Sequence, residues 1–320
     1  MSATLRGGSR LLEVIVAAVA SVGVAAFLTA QKRRRRPPPC SLLVKLGGSA
    51  VTVKSTFETL NGTALKKAAD ALARGQLQGT VLMHGAGSFG HFQAREHAVS
   101  RGPAHESFSW LGFAATRASV TTLNHHVVEA LLNAGISAVG VSPFPRWTTH
   151  GKALANGTIL IEEIADLLRV GLTPVLHGDA VLDSLQGASI LSGDTIMERL
   201  ATELRPRLVV FVTDVAGVHT RPPSEAGARL IERITVDAGG RIVAMEEAGG
   251  GSERGEGAGG GPSMTTAAHD VTGGIATKLG AARRIAAIGV RVVIVEVGTE
   301  HAEVALRGEL PRVCTLLERV

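Results

Sequence analysis

Lys45, Lys54, His91 and Lys278 are the cations of this 320-residue chain whose neighbours mark them for phosphate chemistry. Lys45 follows the apolar run Leu42-Leu43-Val44 and opens Lys45-Leu46-Gly47-Gly48-Ser49, and Lys54 comes nine residues later. His91 closes His84-Gly85-Ala86-Gly87-Ser88-Phe89-Gly90-His91, after the second apolar run Val81-Leu82-Met83. Lys278 lies one helical turn beyond a third glycine turn, Asp270-Val271-Thr272-Gly273-Gly274-Ile275. A strand, then glycines, then a helix start aims backbone N–H groups and a helix dipole at an anion. One such turn says little, but two of them about forty residues apart hold two phosphate groups face to face. That need belongs to a kinase.

Two familiar nucleotide signatures fit less well. Gly85-x-Gly87-x-x-Gly90 formally satisfies the dinucleotide fingerprint, which would make the chain an NAD-dependent oxidoreductase. That fingerprint expects an acidic strand end about twenty residues on, and Glu106 sits instead within His105-Glu106-Ser107-Phe108-Ser109-Trp110. No Gly-Lys-Ser/Thr phosphate loop occurs. Three further segments end apolar runs with small or acidic residues: His177-Gly178-Asp179 within 173–183, Ser192-Gly193-Asp194, and Thr213-Asp214-Val215-Ala216-Gly217-Val218. Open α/β sheets bind ligands at such carboxyl ends.

The elements that must position these residues alternate. Strands are predicted at Leu42–Leu46, Thr80–His84, Ser137–Val141, Thr173–His177, Leu208–Thr213 and Val290–Glu296. Helices are predicted at Thr63–Arg74, Ala115–Ala134, Ile161–Val170, Asp194–Leu204 and Lys278–Ala287. The expected fold is α/β, a three-layer sandwich around a central, mainly parallel sheet. Asp194 is expected to cap its helix, a role compatible with a place in the site. Residues 239–261 break the pattern, and glycine-dominated Gly249–Gly261 is expected to be a flexible surface insertion in the domain spanning 41–320.

Charge separates the first 40 residues from the rest. They carry seven Lys and Arg against Glu13, a net of +6, whereas the whole chain is +5, so residues 41–320 are at −1. A near-neutral globular part excludes a basic nucleic-acid face. Val14–Ala30 is an uncharged run of 17 residues followed by Lys32, Arg33–Arg36 and Pro37–Pro39. That length is at the lower edge for a membrane span, and the basic cluster after it would leave the domain on the cytoplasmic side. A membrane tether is the expectation for 1–40, with a cleaved targeting segment as the alternative. Two cysteines, Cys40 and Cys314, give neither a disulfide framework nor metal spacing, which suits a reducing compartment.

Lys45-x-Gly-Gly-Ser, Thr213-Asp-x-x-Gly-Val and Gly273-Gly-x-x-x-Lys together resemble the nucleotide-binding elements of the amino acid kinase superfamily. Within it, Gly87-Ser-Phe-Gly-His91 and Asp270-Val-Thr-Gly-Gly274 look like the isopentenyl phosphate kinase family. The resemblance covers about 41–320 apart from the glycine-rich insertion, and Ala86 stands where many members carry glycine. It implies the amino acid kinase fold, ATP with Mg²⁺ carried on its phosphates, isopentenyl phosphate as acceptor, and a homodimer. It implies that Lys45 meets the transferring phosphoryl group, Lys54 lies near the phosphates, and Lys278 reaches the nucleotide's terminal phosphates. Leu46, Gly47, Gly48, Ser49, Ala86, Thr213, Asp214, Gly217 and Gly274 then fall toward ATP. Gly85, Gly87, Gly90, His91, Gly178 and Asp179 fall toward the acceptor, with His91 bonding its phosphate.

Other readings stay open on the residues alone. His84 and Asp183 are expected to be structural, and His125 and His126 to be helix-surface or packing residues. Phe108, Trp110 and Phe113 fit either an apolar pocket for a short hydrocarbon or ordinary core. A superfamily kinase acting on a different small phosphate, phosphonate or carboxylate is the nearest rival. A membrane-tethered, catalytically silent binding protein is opposed by the joint presence of Lys45, His91 and Lys278.

Overall fold

The computed structural model describes residues 40–155, 158–249, 252–254 and 273–320. The expected tether and basic cluster, Asp270–Thr272 and most of the glycine-rich insertion lie outside the described residues.

Ten strands form one sheet. In chain order they are β1 (Leu42–Leu46), β2 (Thr80–His84), β3 (Ala138–Gly140), then β6 (Thr173–His177), β9 (Leu208–Thr213), β10 (Ile231–Val236), β11 (Ile242–Glu247), β12 (Ser252–Arg254), β13 (Arg291–Glu296) and β14 (Thr315–Arg319). Their spatial order is β12-β11-β10-β14-β13-β9-β1-β2-β6-β3. The six from β13 to β3 are mutually parallel, and antiparallel pairing is confined to β13/β14, β10/β11 and β11/β12. A smaller sheet holds β4 (Thr149–His150), β5 (Ala153–Leu154), β7 (Asp179–Asp183) and β8 (Gly187–Leu191), in the order β5-β4-β7-β8.

The helices are α1 (Gly48–Val51), α2 (Gly62–Gly75), α3 (Gly87–Glu96), α4 (Trp110–Asn133), α5 (Thr158–Arg169), α6 (Gly193–Leu204), α7 (Gly273–Ala287) and α8 (Glu300–Leu306). Strand side chains alternate between faces, and each face of the parallel sheet has its own core. On one face Leu43, Met83, Leu176, Phe211 and Ile294 pack on α5, α6 and α7 through Ile164, Met197, Leu200 and Ile285. On the other, Leu42, Val44, Leu82, Val210 and Val293 pack on α2, α4 and α8 through Leu65, Leu72, Leu123 and Ala305. The predicted three-layer α/β sandwich is thus the observed architecture. Each fully buried leucine contributes about 1.5–3 kcal/mol, so every parallel strand is held from both sides.

Three expectations change. Ser192, not Asp194, caps α6, its hydroxyl accepting from Thr195 N–H at 3.2 Å. Asp194 falls one residue inside the helix, where its carboxylate is free to turn toward Lys45. Strand β6 ends at His177 as predicted, and after Gly178 the chain continues as β7 in the smaller sheet. The departure at 239 is no loop at first: a tight turn at Asp237–Arg241, closed by Asp237 N–H to Arg241 O at 2.9 Å, leads into β11. Finally, Gly87–His91 is the opening of α3 rather than a loop.

Candidate active site

The glycine turns sit where the carboxyl ends of neighbouring parallel strands meet. Each turn is tied to the next strand by one backbone hydrogen bond beyond the ladder. Gly47 N–H donates to Val212 O at 2.8 Å, Gly85 N–H to Leu46 O at 2.9 Å, and Gly178 N–H to His84 O at 3.4 Å. The turns therefore form one continuous rim. A Cβ on Gly48 would lie 3.0 Å from Gly87 Cα, and one on Gly85 would lie 3.0 Å from Gly48 N, so the two turns touch backbone to backbone. Gly87 also needs its freedom, since its φ is +51°. Among the described residues, the N–H groups of Gly48, Ser49, Ala86 and Gly87 donate to no protein group. Such free N–H groups on glycine turns receive anions.

Three lysines reach one end of this rim. Lys45, buried at the end of β1, pairs with the Asp194 carboxylate, and its Nζ lies 5.9 Å from the Phe211 ring centre. Lys54 Nζ pairs with Asp214 Oδ2 at 2.7 Å across the turn after β9. Lys278, buried in α7, donates to Thr213 Oγ1 at 3.1 Å. Burial first, then repulsion from Lys45, pulls the Lys278 ammonium down to about 8. Asp214 is held below the ordinary carboxylate value: partial burial opposes its charge, but the Lys54 hydrogen bond and charge outweigh it. Three crowded ammonium groups with only two carboxylates leave the site short of negative charge at neutral pH.

His91 stands beside them in the first turns of α3 with its outer face exposed. Partial burial of its ring, with the charges of Arg95, Lys54 and Lys45, pushes its pKa below the ordinary histidine value. A neutral imidazole there still offers an N–H to an anion.

Beneath the acceptor side lie polar groups that are already satisfied. His84 and His177 are buried and stacked with ring centres 5.7 Å apart. Their Nδ1 atoms face Gly85 O and Gly178 O at 3.0 Å each, so both rings carry the proton on Nδ1. Asn124 Nδ2 donates to His84 Nε2 at 3.1 Å and to Val175 O at 3.1 Å. Burial drives the His84 pKa to about 3 and lowers that of His177 as well. Next to them, Arg117 Nε and Nη2 grip Asp179 Oδ1 and Oδ2 at 3.2 Å each, while Ser142 donates to Oδ2 at 3.1 Å. The Arg117 guanidinium lies 4.0 Å from the Phe144 ring centre. Phe144 meets Phe113, which meets Trp110, which meets Phe108, each edge to face at 5.1–5.9 Å.

Most of the residues expected at the site therefore converge, and a few do so in altered roles. Gly85 and Gly178 use their N–H groups within the rim, so they shape it rather than donate to a ligand. Asp179 is fully engaged by Arg117 and Ser142, which leaves no free oxygen for a substrate. Gly217 owes its identity to packing, since a Cβ would lie 2.3 Å from Thr315 Oγ1. Gly90 gives room to Ala86, whose Cβ would be 2.8 Å from a Cβ at 90. Gly274 belongs to the first turn of α7, one turn ahead of Lys278. Asp183 is structural as expected, accepting from Thr149 Oγ1 and from the N–H groups of Gly151, Lys152, Leu185 and Gln186. Arg117 and Glu58 were not singled out; Arg117 had one faint signal, its place one helical turn after Phe113.

A parallel sheet whose carboxyl edge gathers glycine turns, unbonded N–H groups and three lysines defines a phosphotransferase of the α/β class. The chain belongs to the amino acid kinase family, whose model matches residues 41–296. It is 37% identical to isopentenyl phosphate kinase of Arabidopsis thaliana, covering 84% of this chain and 90% of that one. It is 32% identical to isopentenyl phosphate kinase of Methanothermobacter thermautotrophicus, covering 84% and 96%. Among solved structures, one of isopentenyl phosphate kinase superposes with a TM-score of 0.69 at 29% identity, covering 86% of this chain and 99% of the other.

Proposed function

We propose that this protein transfers the γ-phosphoryl group of ATP to isopentenyl phosphate, giving isopentenyl diphosphate and ADP. The observation that carries the reading is the backbone contact between the Gly47–Ser49 and Gly85–Gly87 turns, with three lysines at the rim and His91 close enough to feel the charges of Lys45 and Lys54. The similarity to isopentenyl phosphate kinases over most of both chains supports the choice of acceptor.

The second ionisation of a phosphate monoester lies near pH 6, so the acceptor arrives as an anionic nucleophile and needs no general base. One of its oxygens attacks the γ-phosphorus in line, and the bond from that phosphorus to the β,γ-bridging oxygen breaks as ADP leaves. The difficulty is to bring two polyanions together and hold charge on the transferring group, a matter of position and electrostatics. Lys45 leaves Asp194 to meet the transferring phosphoryl oxygens. Lys278 takes the β- and γ-phosphates, and Lys54 closes from the side. The N–H groups of Gly48, Ser49, Ala86 and Gly87 face the same oxygens, and His91 donates to the acceptor phosphate. Asp194 and Asp214, each paired with a lysine, are the carboxylates that would hold the Mg²⁺ carried on ATP, an ion that would neutralise phosphate charge there. The aromatic row from Phe108 to Phe144 fits the short hydrocarbon tail of the acceptor.

The chain is further proposed to act as a homodimer, as the resemblance implies, with residues 14–30 tethering a cytoplasmic-side catalytic domain. Among the described residues, no helix is long and apolar enough to cross a membrane.

The assignment of His91 is tested with His91→Ala. Turnover of isopentenyl phosphate is expected to fall by roughly 10²-fold or more, while ATP binding persists by calorimetry. Turnover at the wild-type level would sink that role for His91.

A further inference from the structure

The segment after α1 is a closed loop. Thr52 bridges Leu60, Val53 N–H donates to Thr59 O at 2.9 Å, and Asn61 N–H donates to Val51 O at 3.0 Å. One flank of this loop carries Lys54, which reaches across to Asp214 on the nucleotide side. The opposite flank lies on α3, the helix that bears His91. There Thr59 N–H donates to Ser88 Oγ at 3.3 Å, and Phe57 meets Phe92 edge to face with centres 5.7 Å apart. Glu58 makes the longest reach: its Oε1 lies 2.6 Å from Ser119 Oγ of α4, whose single hydroxyl proton it shares with Phe89 O of α3, and it accepts from Gln93 Nε2 of α3 at 3.2 Å. Glu58 also holds a left-handed backbone, φ +43°, which costs a residue with a side chain and persists only where the surroundings fix it.

We propose that Glu58 is a positioning residue that latches the Lys54 loop onto the His91 helix, so that the cation on the nucleotide side and the donor on the acceptor side keep a fixed separation. This rests on the roles of Lys54 and His91 given above. The latch touches neither substrate. It acts through Lys54, whose long side chain is half exposed and, among the described residues, has only the Asp214 ion pair to steady it. Misplacement of a catalytic group by about 1 Å costs up to roughly 10²-fold in rate, so loosening the loop lowers turnover more than it lowers binding.

Glu58→Ala removes the side chain while keeping the same left-handed backbone cost, and Glu58→Gln keeps an oxygen for Ser119. In the full chain with ATP, Mg²⁺ and isopentenyl phosphate, Glu58→Ala is expected to lower kcat about tenfold and to move either KM less than about threefold. Glu58→Gln is expected to stay near wild type. In a Lys54→Met background, Glu58→Ala should change kcat by less than about twofold, because a residue acting only through Lys54 has nothing left to position. Amide exchange in residues 53–60 should quicken in Glu58→Ala and not in Glu58→Gln. A wild-type kcat for Glu58→Ala, a full tenfold loss on top of Lys54→Met, or unchanged exchange would overturn the latch. If the unaltered protein phosphorylates no isopentenyl phosphate, the acceptor assignment fails separately, and the exchange comparison alone still decides for or against the latch.

Discussion

The two ends of the site treat charge in opposite ways. At the nucleotide end, Lys45, Lys54 and Lys278 hold single contacts to Asp194, Asp214 and Thr213, and each contact is of a kind that a phosphate oxygen can replace. At the acceptor end, His84, His177, Asn124, Arg117 and Asp179 are buried or half-buried and held by hydrogen bonds to backbone or to neighbouring side chains. Among the described residues, His91 on that side keeps a partly exposed ring with no hydrogen-bond partner. The contrast separates groups that exchange partners during the reaction from groups that keep a cavity in shape. Removing a buried, saturated group leaves its partner unsatisfied, at a cost of about 1–3 kcal/mol, so its effect appears in stability. Removing an exchangeable lysine appears in rate.

The largest expected effect is at Lys45. Lys45→Met should lower kcat by roughly 10³-fold, the upper range for losing one preorganised charge-stabilising group, with a lowered melting temperature, since Asp194 loses its partner, but a folded chain. A variant that instead unfolds would move Lys45 into the structural set. Gly48→Ala comes next, because its Cβ would press on the Gly87 backbone at 3.0 Å and part the two turns. A loss of about 10²-fold in kcat/KM is expected, measured against Gly62→Ala, where a Cβ meets nothing. Equal activity of the two variants would dissolve the claim that the turns must touch.

A smaller effect follows from Lys278, whose ammonium is pulled down to about 8 by burial and by the charge of Lys45. Bound triphosphate favours the charged form, so ATP binding takes up a proton above that pH, and affinity falls as pH rises from 7 to 9. Lys278→Arg, which stays charged throughout, should flatten the profile of KM for ATP; a slope that persists would assign it to another group. The smallest effect concerns the paired rings. His84 and His177 resist protonation when folded, whereas the unfolded chain binds protons below about pH 6.5. Stability therefore drops on acidification through that value, by up to about 1.4 kcal/mol per pH unit for each ring. Thermal melts between pH 7 and 5 with no decline would place charge on these histidines.

The sheet was legible where a strand is buried on both faces. Leu42–Leu46, Thr80–His84 and Leu208–Thr213 are continuous apolar runs, and their ends were read to the residue. Strands β10, β11 and β14 were missed because they lie beyond the parallel core, with polar residues such as Glu232, Arg233 and Glu318 breaking the run. The lysines and His91 were singled out because glycines flank them or stand close by in sequence. Asp179 was misread because nothing near it announces a partner 62 residues away on α4. Glu58 had no local signal at all: its contacts come from 35 and 61 residues along the chain. Glycine turns advertise a site locally, whereas the groups that hold it in register are known only once the chain has folded.

The most direct test of the central claim follows the phosphorus. The full chain is mixed with ATP, Mg²⁺ and isopentenyl phosphate, and ³¹P resonances are recorded as the reaction proceeds. The account requires a prenyl diphosphate to appear in step with ADP, with no phosphorylated enzyme between them. ATP consumed without diphosphate product, or a phosphoenzyme that forms before the acceptor is added, would contradict it.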